Sequence, residues 1–137
     1  MDFRIVEGTE QISTEEAAEL LKTTYWAGNR PAEKIRKSMQ HSVCYGIRSE
    51  TNEKLIGFAR VMTDYATTYY LCDVVIDPEY RHRGLGKMLI AHITAQPEYA
   101  ELRGFDVAAA EQTMLTLRAR FWHHYQKKRE MEFTLEL

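Results

Sequence analysis

The sequence predicts a mixed α/β domain built around one central sheet. Three observations carry that prediction. Segments of strand character, such as "YYLCDVVI" and "EMEFTLEL", are interleaved with segments of helical spacing, such as "STEEAAELLKTT". Breakers separate them: "YWAGNRP", "SETNE" and the Pro78 to Gly86 neighbourhood. The length of 137 residues suits one core, read here as a single domain over 1–137.

Phe3 to Glu7 reads as the first strand. Ser13 or Thr14 can cap the helix that follows, with acidic residues in its first turn and an apolar stripe of Ala17, Leu20 and Leu21. Pro31 can open a second helix, to about Gln40. "SVCYGIR", "KLIGFARVM" and "YYLCDVVI" are three strands, the last the most buried in composition. Pro78 ends that strand. A helix is predicted from Leu85 to Thr94, with Met88, Leu89, Ala91 or His92, and Ile93 on its apolar face. "RGFDVAA" reads as a strand, "EQTMLTLRARFWHHY" as a helix and "EMEFTLEL" as a final strand.

Composition narrows the function classes. A net charge of −2 and a pI near 6.2 argue against bulk nucleic-acid binding. No apolar run approaches the roughly 20 residues of a membrane span. The opening "MDFRIVEGTE" has no signal pattern, and Cys44 and Cys72 make no disulfide scaffold, so a cytoplasmic protein with reduced thiols is expected. His123 and His124 are adjacent and would diverge by about 100° on a helix, so no metal site is expected from them.

The stretch "VVIDPEYRHRGLGKMLIAHI" holds the clearest chemistry. Its basic, glycine-containing turn opens a helix, where free backbone N–H groups and the helix dipole favour an anion. Glycine lets a ligand approach the backbone closely. Arg81, Arg83 and Lys87 can add formal charge for phosphate groups. The turn is neither a Walker A loop nor a complete dinucleotide fingerprint. On these residues alone, a helix cap and a small-anion site both remain open.

The arrangement of apolar strand, Asp77-Pro78, Arg81-x-x-Gly84-x-Gly86 and amphipathic helix resembles the GNAT superfamily of N-acetyltransferases. The resemblance covers roughly residues 3 to 105. It implies a mostly antiparallel central sheet, helices on both faces, and a splay between the fourth and fifth strands. It also implies acetyl-CoA as co-substrate, with the pyrophosphate on backbone amides of Arg83, Gly84, Leu85, Gly86 and Lys87, next to Arg81 and His82. The pantetheine arm would then lie beside Val75 and Ile76, and the Val75 N–H would polarise the thioester carbonyl. Such a preorganised donor stabilises a developing oxyanion. The loop between the first two helices lines the acceptor site in this family, which here means Tyr25, Trp26 and Arg30. Tyr65, Tyr69 and Tyr70 are strand residues or pocket lining.

Asp73 is the candidate proton acceptor, because a carboxylate inside "YYLCDVVI" is costly unless paired or functional; a structural Asp bonded to a neighbouring loop is the rival reading. Strict alternation puts Cys72 on the opposite face, which favours direct transfer in a ternary complex over an acyl-cysteine. Asp77 reads as a turn residue. The acceptor is expected to be a primary amine, of a small molecule or a peptide, and Asp73, Asp64 and several Glu residues would suit a cationic one. The rivals are a non-catalytic acyl-CoA-binding module of the same fold and an unrelated anion-binding domain. A homodimer is expected from the family.

One region departs from the family pattern. Arg118 stands where a tyrosine acting as general acid is expected, and Trp122 where a glycine is. With permissible codons, Glu111 to Leu117 read two bases later gives Thr-Asn-Asn-Ala-His-Ala, and Trp122 to Tyr125 read one base later gives Gly-Ile-Thr-Thr, both family-like. Small local frame shifts between about 106 and 127 and ordinary divergence each account for this.

Overall fold

The fold follows from where the chain can start and stop its elements, and a computed structural model describes it for residues 2–106. β1 runs Phe3–Glu7. Ser13 then caps α1, Thr14–Leu21, through a reciprocal capping box with Glu16: the Glu16 N–H donates to Ser13 Oγ and the Ser13 N–H to Glu16 Oε1, both at 3.1 Å. Pro31 stands at the N-cap of α2, Ala32–Gln40, with its fixed φ and no N–H to leave unpaired. β2 is Val43–Ser49, β3 Leu55–Thr63 and β4 Thr68–Ile76. α3 spans Leu85–Thr94, and β5 is described over Arg103–Asp106. Two short 3-10 turns, Pro78–Tyr80 and Pro97–Tyr99, each begin at a proline. The helix expected over 111–125 and the strand over 130–137 lie outside the described residues.

Among the described residues the sheet has five strands in the order β1-β2-β3-β4-β5. β1 to β4 form an antiparallel meander, and β5 joins β4 in parallel, from Thr68–Arg103 to Leu71–Asp106. The sheet is therefore mostly antiparallel, as the resemblance implied.

Helices cover both faces. Ile12, Ala17, Leu20, Leu21, Ile35 and Met39 bury one face against Val6, Cys44, Leu55, Phe58 and Val75. α3 buries the other against Tyr45, Ile47, Ala59, Val61, Leu71, Val74 and Ile76. The inward face of α3 is Leu85, Gly86, Leu89, Ile90 and Ile93, at helical spacing. This corrects the expected stripe: Met88 is exposed and Ile90 is inside.

β4 does not keep strict alternation. Leu71, Val74 and Ile76 all face α3, and three steps separate the first two. The pairing explains it: Arg60 is opposite Cys72 and Phe58 opposite Val75, so two steps on β3 face three on β4. The extra residue is a β-bulge, and Asp73 sits in it with φ 53°. Asp tolerates the left-handed region better than most residues.

No helix among the described residues is long and apolar enough to cross a membrane.

Candidate active site

The bulge places Asp73 under the loop between α1 and α2. Its side chain is only 2% exposed, and four donors surround it. Arg30 donates from Nη1 to Oδ2 at 2.7 Å and from Nη2 to Oδ1 at 3.3 Å. Arg60 of β3 donates from Nε to Oδ2 at 2.7 Å. Trp26 donates from Nε1 to Oδ1 at 3.2 Å. Burial alone would raise the Asp73 carboxyl, but the Arg30 hydrogen bond and the charge of Arg60 hold it below the usual carboxylate range. Arg60 extends the network by donating from Nη1 to Ser42 Oγ at 3.0 Å.

The structure thus brings three expected residues together, Asp73, Trp26 and Arg30. It adds Arg60, which the sequence reading missed. Tyr25 is not among the donors to Asp73; it stands 81% exposed, edge-on to Trp26 with ring centroids 5.2 Å apart. The clasp also changes what Asp73 can offer. A carboxylate with both oxygens on guanidinium groups has little basicity left for an amine proton.

The bulge corrects the placement of Cys72 as well. Directly opposed residues of an antiparallel pair project from the same face, so Cys72 shares the face of Arg60, where Asp73 is bound. Cys72 is buried, and its Sγ donates to the Tyr70 carbonyl at 3.7 Å. Cys44 is buried too, and burial raises its thiol to about 11. Of the three tyrosines, Tyr69 stacks on Tyr99 at 4.8 Å on the α3 side, Tyr70 pairs with Met62, and Tyr65 lies exposed in the β3–β4 turn. Asp64 closes that turn: Thr67 Oγ1 and the N–H groups of Thr67, Ala66 and Thr68 hold its carboxyl well below the usual range.

Beyond the bulge, the register decides which backbone groups face away from β3. The Asp77 N–H donates to the Ile56 carbonyl at 2.8 Å, so Asp77 and Ile56 are a hydrogen-bonded pair. In an antiparallel ladder such pairs alternate. Val75 and Phe58 are therefore the next one, and the Val75 N–H points at β3. Ile76 faces the other way: its carbonyl accepts from Arg81 Nε at 3.1 Å. Val74 shares the orientation of Ile76, as their common burial against α3 indicates. At this strand end the N–H groups that face away from β3 are thus those of Val74 and Ile76, and that of Val75, the one expected to face outward, is turned toward β3.

The basic turn follows directly. Asp77 caps the 3-10 turn by accepting from the Glu79 N–H at 2.9 Å and pairs with Lys54 at 3.1 Å, as a turn residue should. His82 and Gly84 both take positive φ, 66° and 78°. A Cβ on Gly84 would meet nothing within 4 Å, so the turn opens outward there. The first bond of α3 runs from the Met88 N–H to the Gly84 carbonyl at 3.0 Å. The N–H groups of Leu85, Gly86 and Lys87 stand before it, at the positive end of the helix dipole. Arg83 lies over the Tyr80 ring at 5.2 Å, and Lys87 is exposed. An open turn, aligned N–H groups and basic side chains fit a pyrophosphate, and outward N–H groups on β4 fit an extended amide-bearing arm. Both belong to coenzyme A. Among the described residues no group of three His, Cys, Asp or Glu could hold a metal ion.

The model of the acetyltransferase (GNAT) family matches residues 12–127. The chain belongs to that family. The uncharacterized N-acetyltransferase ycf52 of Gracilaria tenuistipitata var. liui is 36% identical over 88 residues, 62% of this chain and 48% of that protein. The chain spans about half the length of the curated relatives it matches. A crystal structure of a GNAT-family protein from Xanthomonas campestris pv. campestris superposes with a TM-score of 0.74 at 30% identity, covering 88% of this chain and 83% of that one. A GNAT-family acetyltransferase from Streptococcus pneumoniae TIGR4 shares the fold at a TM-score of 0.65 and 19% identity, covering 87% and 86%. The GNAT arrangement accounts for the element order, the parallel β4–β5 pair and the glycine turn. Arg118, where the family tyrosine is expected, and all of the 106–127 segment except Asp106 lie outside the described residues.

Proposed function

We propose that this chain is an N-acetyltransferase that moves the acetyl group of acetyl-CoA to a primary amine by direct transfer in a ternary complex. The observation that carries the reading is the continuity of β4 with the basic turn. Outward N–H groups at Val74 and Ile76 lead straight into the N–H groups of Leu85, Gly86 and Lys87 at the open turn of Gly84. Bound there, acetyl-CoA supplies a thioester: an N–C bond forms as the C–S bond breaks, and the amine proton ends on the released thiol.

The chain contributes binding and orientation. Val74 or Ile76 offers a fixed donor where negative charge develops on the carbonyl oxygen. Val75, expected for that role, anchors the strand to β3 and to the α1–α2 core instead. Arg81 ties the strand end to the turn, and Arg83 and Lys87 with His82 form its exposed basic rim. Asp73 fixes the acceptor loop through Trp26 and Arg30 rather than taking up the proton. Direct transfer is favoured because both thiols are buried. Their free state also supports a cytoplasmic setting, and a homodimer remains part of the proposal.

Calorimetric titration with acetyl-CoA, with ATP as control anion, followed by an assay for free CoA with an amine panel, tests this. Selective saturable binding with release of CoA is expected. Binding without release would favour the non-catalytic acyl-CoA module, and equal binding of ATP would overturn the assignment of the turn.

A further inference from the structure

We infer that the acceptor amine also carries an anionic group, most simply a carboxylate, and that Arg30 and Arg60 recognise it. The inference rests on the acetyl-transfer reading and adds a substrate class to it. Its basis is the charge balance beside the bulge. Two guanidinium groups share one carboxylate, which among the described residues leaves the cluster one positive charge in excess. Arg30 and Arg60 are 20% and 15% exposed, so the excess is screened by little water yet can still be reached.

Donors remain for a ligand. Asp73 takes Nη1 and Nη2 of Arg30 and Nε of Arg60, and Ser42 takes Nη1 of Arg60. Among the described residues nothing accepts from Nε of Arg30 or Nη2 of Arg60. Three of the carboxylates that suggested a cationic acceptor are already engaged. Asp73 is neutralised by the clasp, Asp64 closes its own turn, and Glu33 is paired with Arg36. An amine with a second positive charge would meet like charge here, and one with a carboxylate would meet the surplus.

The same place has an apolar wall. Met62 is 46% exposed and follows Arg60 by two residues on β3, so it projects from the same face. Trp26, which donates to Asp73, and the exposed Tyr25 ring edge-on to it stand on the loop that Asp73 holds. An aromatic body between an amine and a carboxylate matches that combination.

The experiment uses the acetyl-CoA-saturated full chain and three amines with one aromatic frame: 4-(aminomethyl)benzoate, 4-(aminomethyl)benzamide and 1,4-bis(aminomethyl)benzene. Release of free CoA gives kcat/KM for each. The benzoate is expected to exceed the diamine by at least about tenfold, with the benzamide between. Arg60→Gln should compress that range to within about threefold, and Arg60→Lys, which keeps the charge, should preserve its order. Equal rates, a preference for the diamine, or no turnover of any of the three on acetyl-CoA-loaded protein would overturn the inference. The first two outcomes leave acetyl transfer itself standing; failure to bind acetyl-CoA overturns the parent reading as well.

Discussion

Replacing Asp73 with Asn removes one charge and almost no volume, and it separates an anchoring carboxylate from a proton acceptor. In the native protein the carboxylate has guanidinium nitrogens at 2.7 Å from both Arg30 and Arg60. At an effective dielectric of about 20, two unit charges with centres about 4 Å apart attract by roughly 4 kcal/mol, which offsets a desolvation penalty of several kcal/mol per buried ion. Asn leaves both guanidiniums half-buried, unneutralised and repelling each other. Removing one partner of a buried ion network costs about 3–5 kcal/mol. For a chain of this size each kcal/mol lowers the melting temperature by roughly 3–4 °C, so a fall of about 10 °C or more is expected. Thermal unfolding followed by circular dichroism measures it. Arg60→Met should cost less, because Asp73 keeps Arg30, and the double variant should fall short of the sum by at least about 1 kcal/mol. Were Asp73→Asn to unfold within a degree or two of wild type while losing turnover, the anchoring account would fail and Asp73 would again be the base.

Gly86→Asp puts a negative charge beside the first-turn N–H groups of α3, at a buried position, so acetyl-CoA affinity should be lost in calorimetry and stability lowered in thermal unfolding; unchanged affinity would refute the assignment of the turn. Gly84→Ala has room for its methyl but not the right φ, and should lower stability by about 1–2 kcal/mol, less for Gly84→Asn. The Tyr45 and Tyr99 hydroxyls meet at 2.8 Å in the α3-side core, so either single change to Phe should cost about 1–2 kcal/mol and the pair less than the sum, checked by denaturant unfolding. The Arg48 hydrogen bond, against burial, holds Glu16 at about 2, below its ordinary value of roughly 4.3. Its contribution to stability is full above the ordinary value and lost as pH falls through about 2, and Glu16→Gln should flatten the acid limb of the unfolding profile by that share.

The parts of this protein that were legible in its sequence are those set by local chemistry. The bounds of α3 follow from a glycine cap and a clean helical spacing, and the start of α1 from Ser13 and Glu16. The meander follows from three strand-like runs with short turns. The misreadings on β4 share one cause, its pairing with β3. Which N–H faces outward depends on that register, and no property of Val75 itself reveals it. The bulge inverted the inferred face of Cys72. Its local sign was the one noticed at Asp73, an acidic residue in a buried run. Arg60 carried the matching sign, a charge inside "LIGFARVM", and passed unnoticed because its partner lies thirteen residues on. On α3, Ile90 and Met88 were exchanged because both fit a helical stripe and only the sheet decides between them.

The single residue in the left-handed conformation on β4 also acts as a phase marker. Upstream and downstream of it the strand obeys the same two-step rule but with opposite parity. Removing one residue there would turn Val74 and Ile76 toward α1 and α2, turn Val75 toward α3, and exchange the backbone groups that face β3 with those that face outward. A change of side chain at this position is a local event; a change in the number of residues would rewrite both sides of the sheet at once. Length through this strand is therefore under stricter control than identity, and any chimera that borrows the glycine turn must import the strand from before the bulge onward.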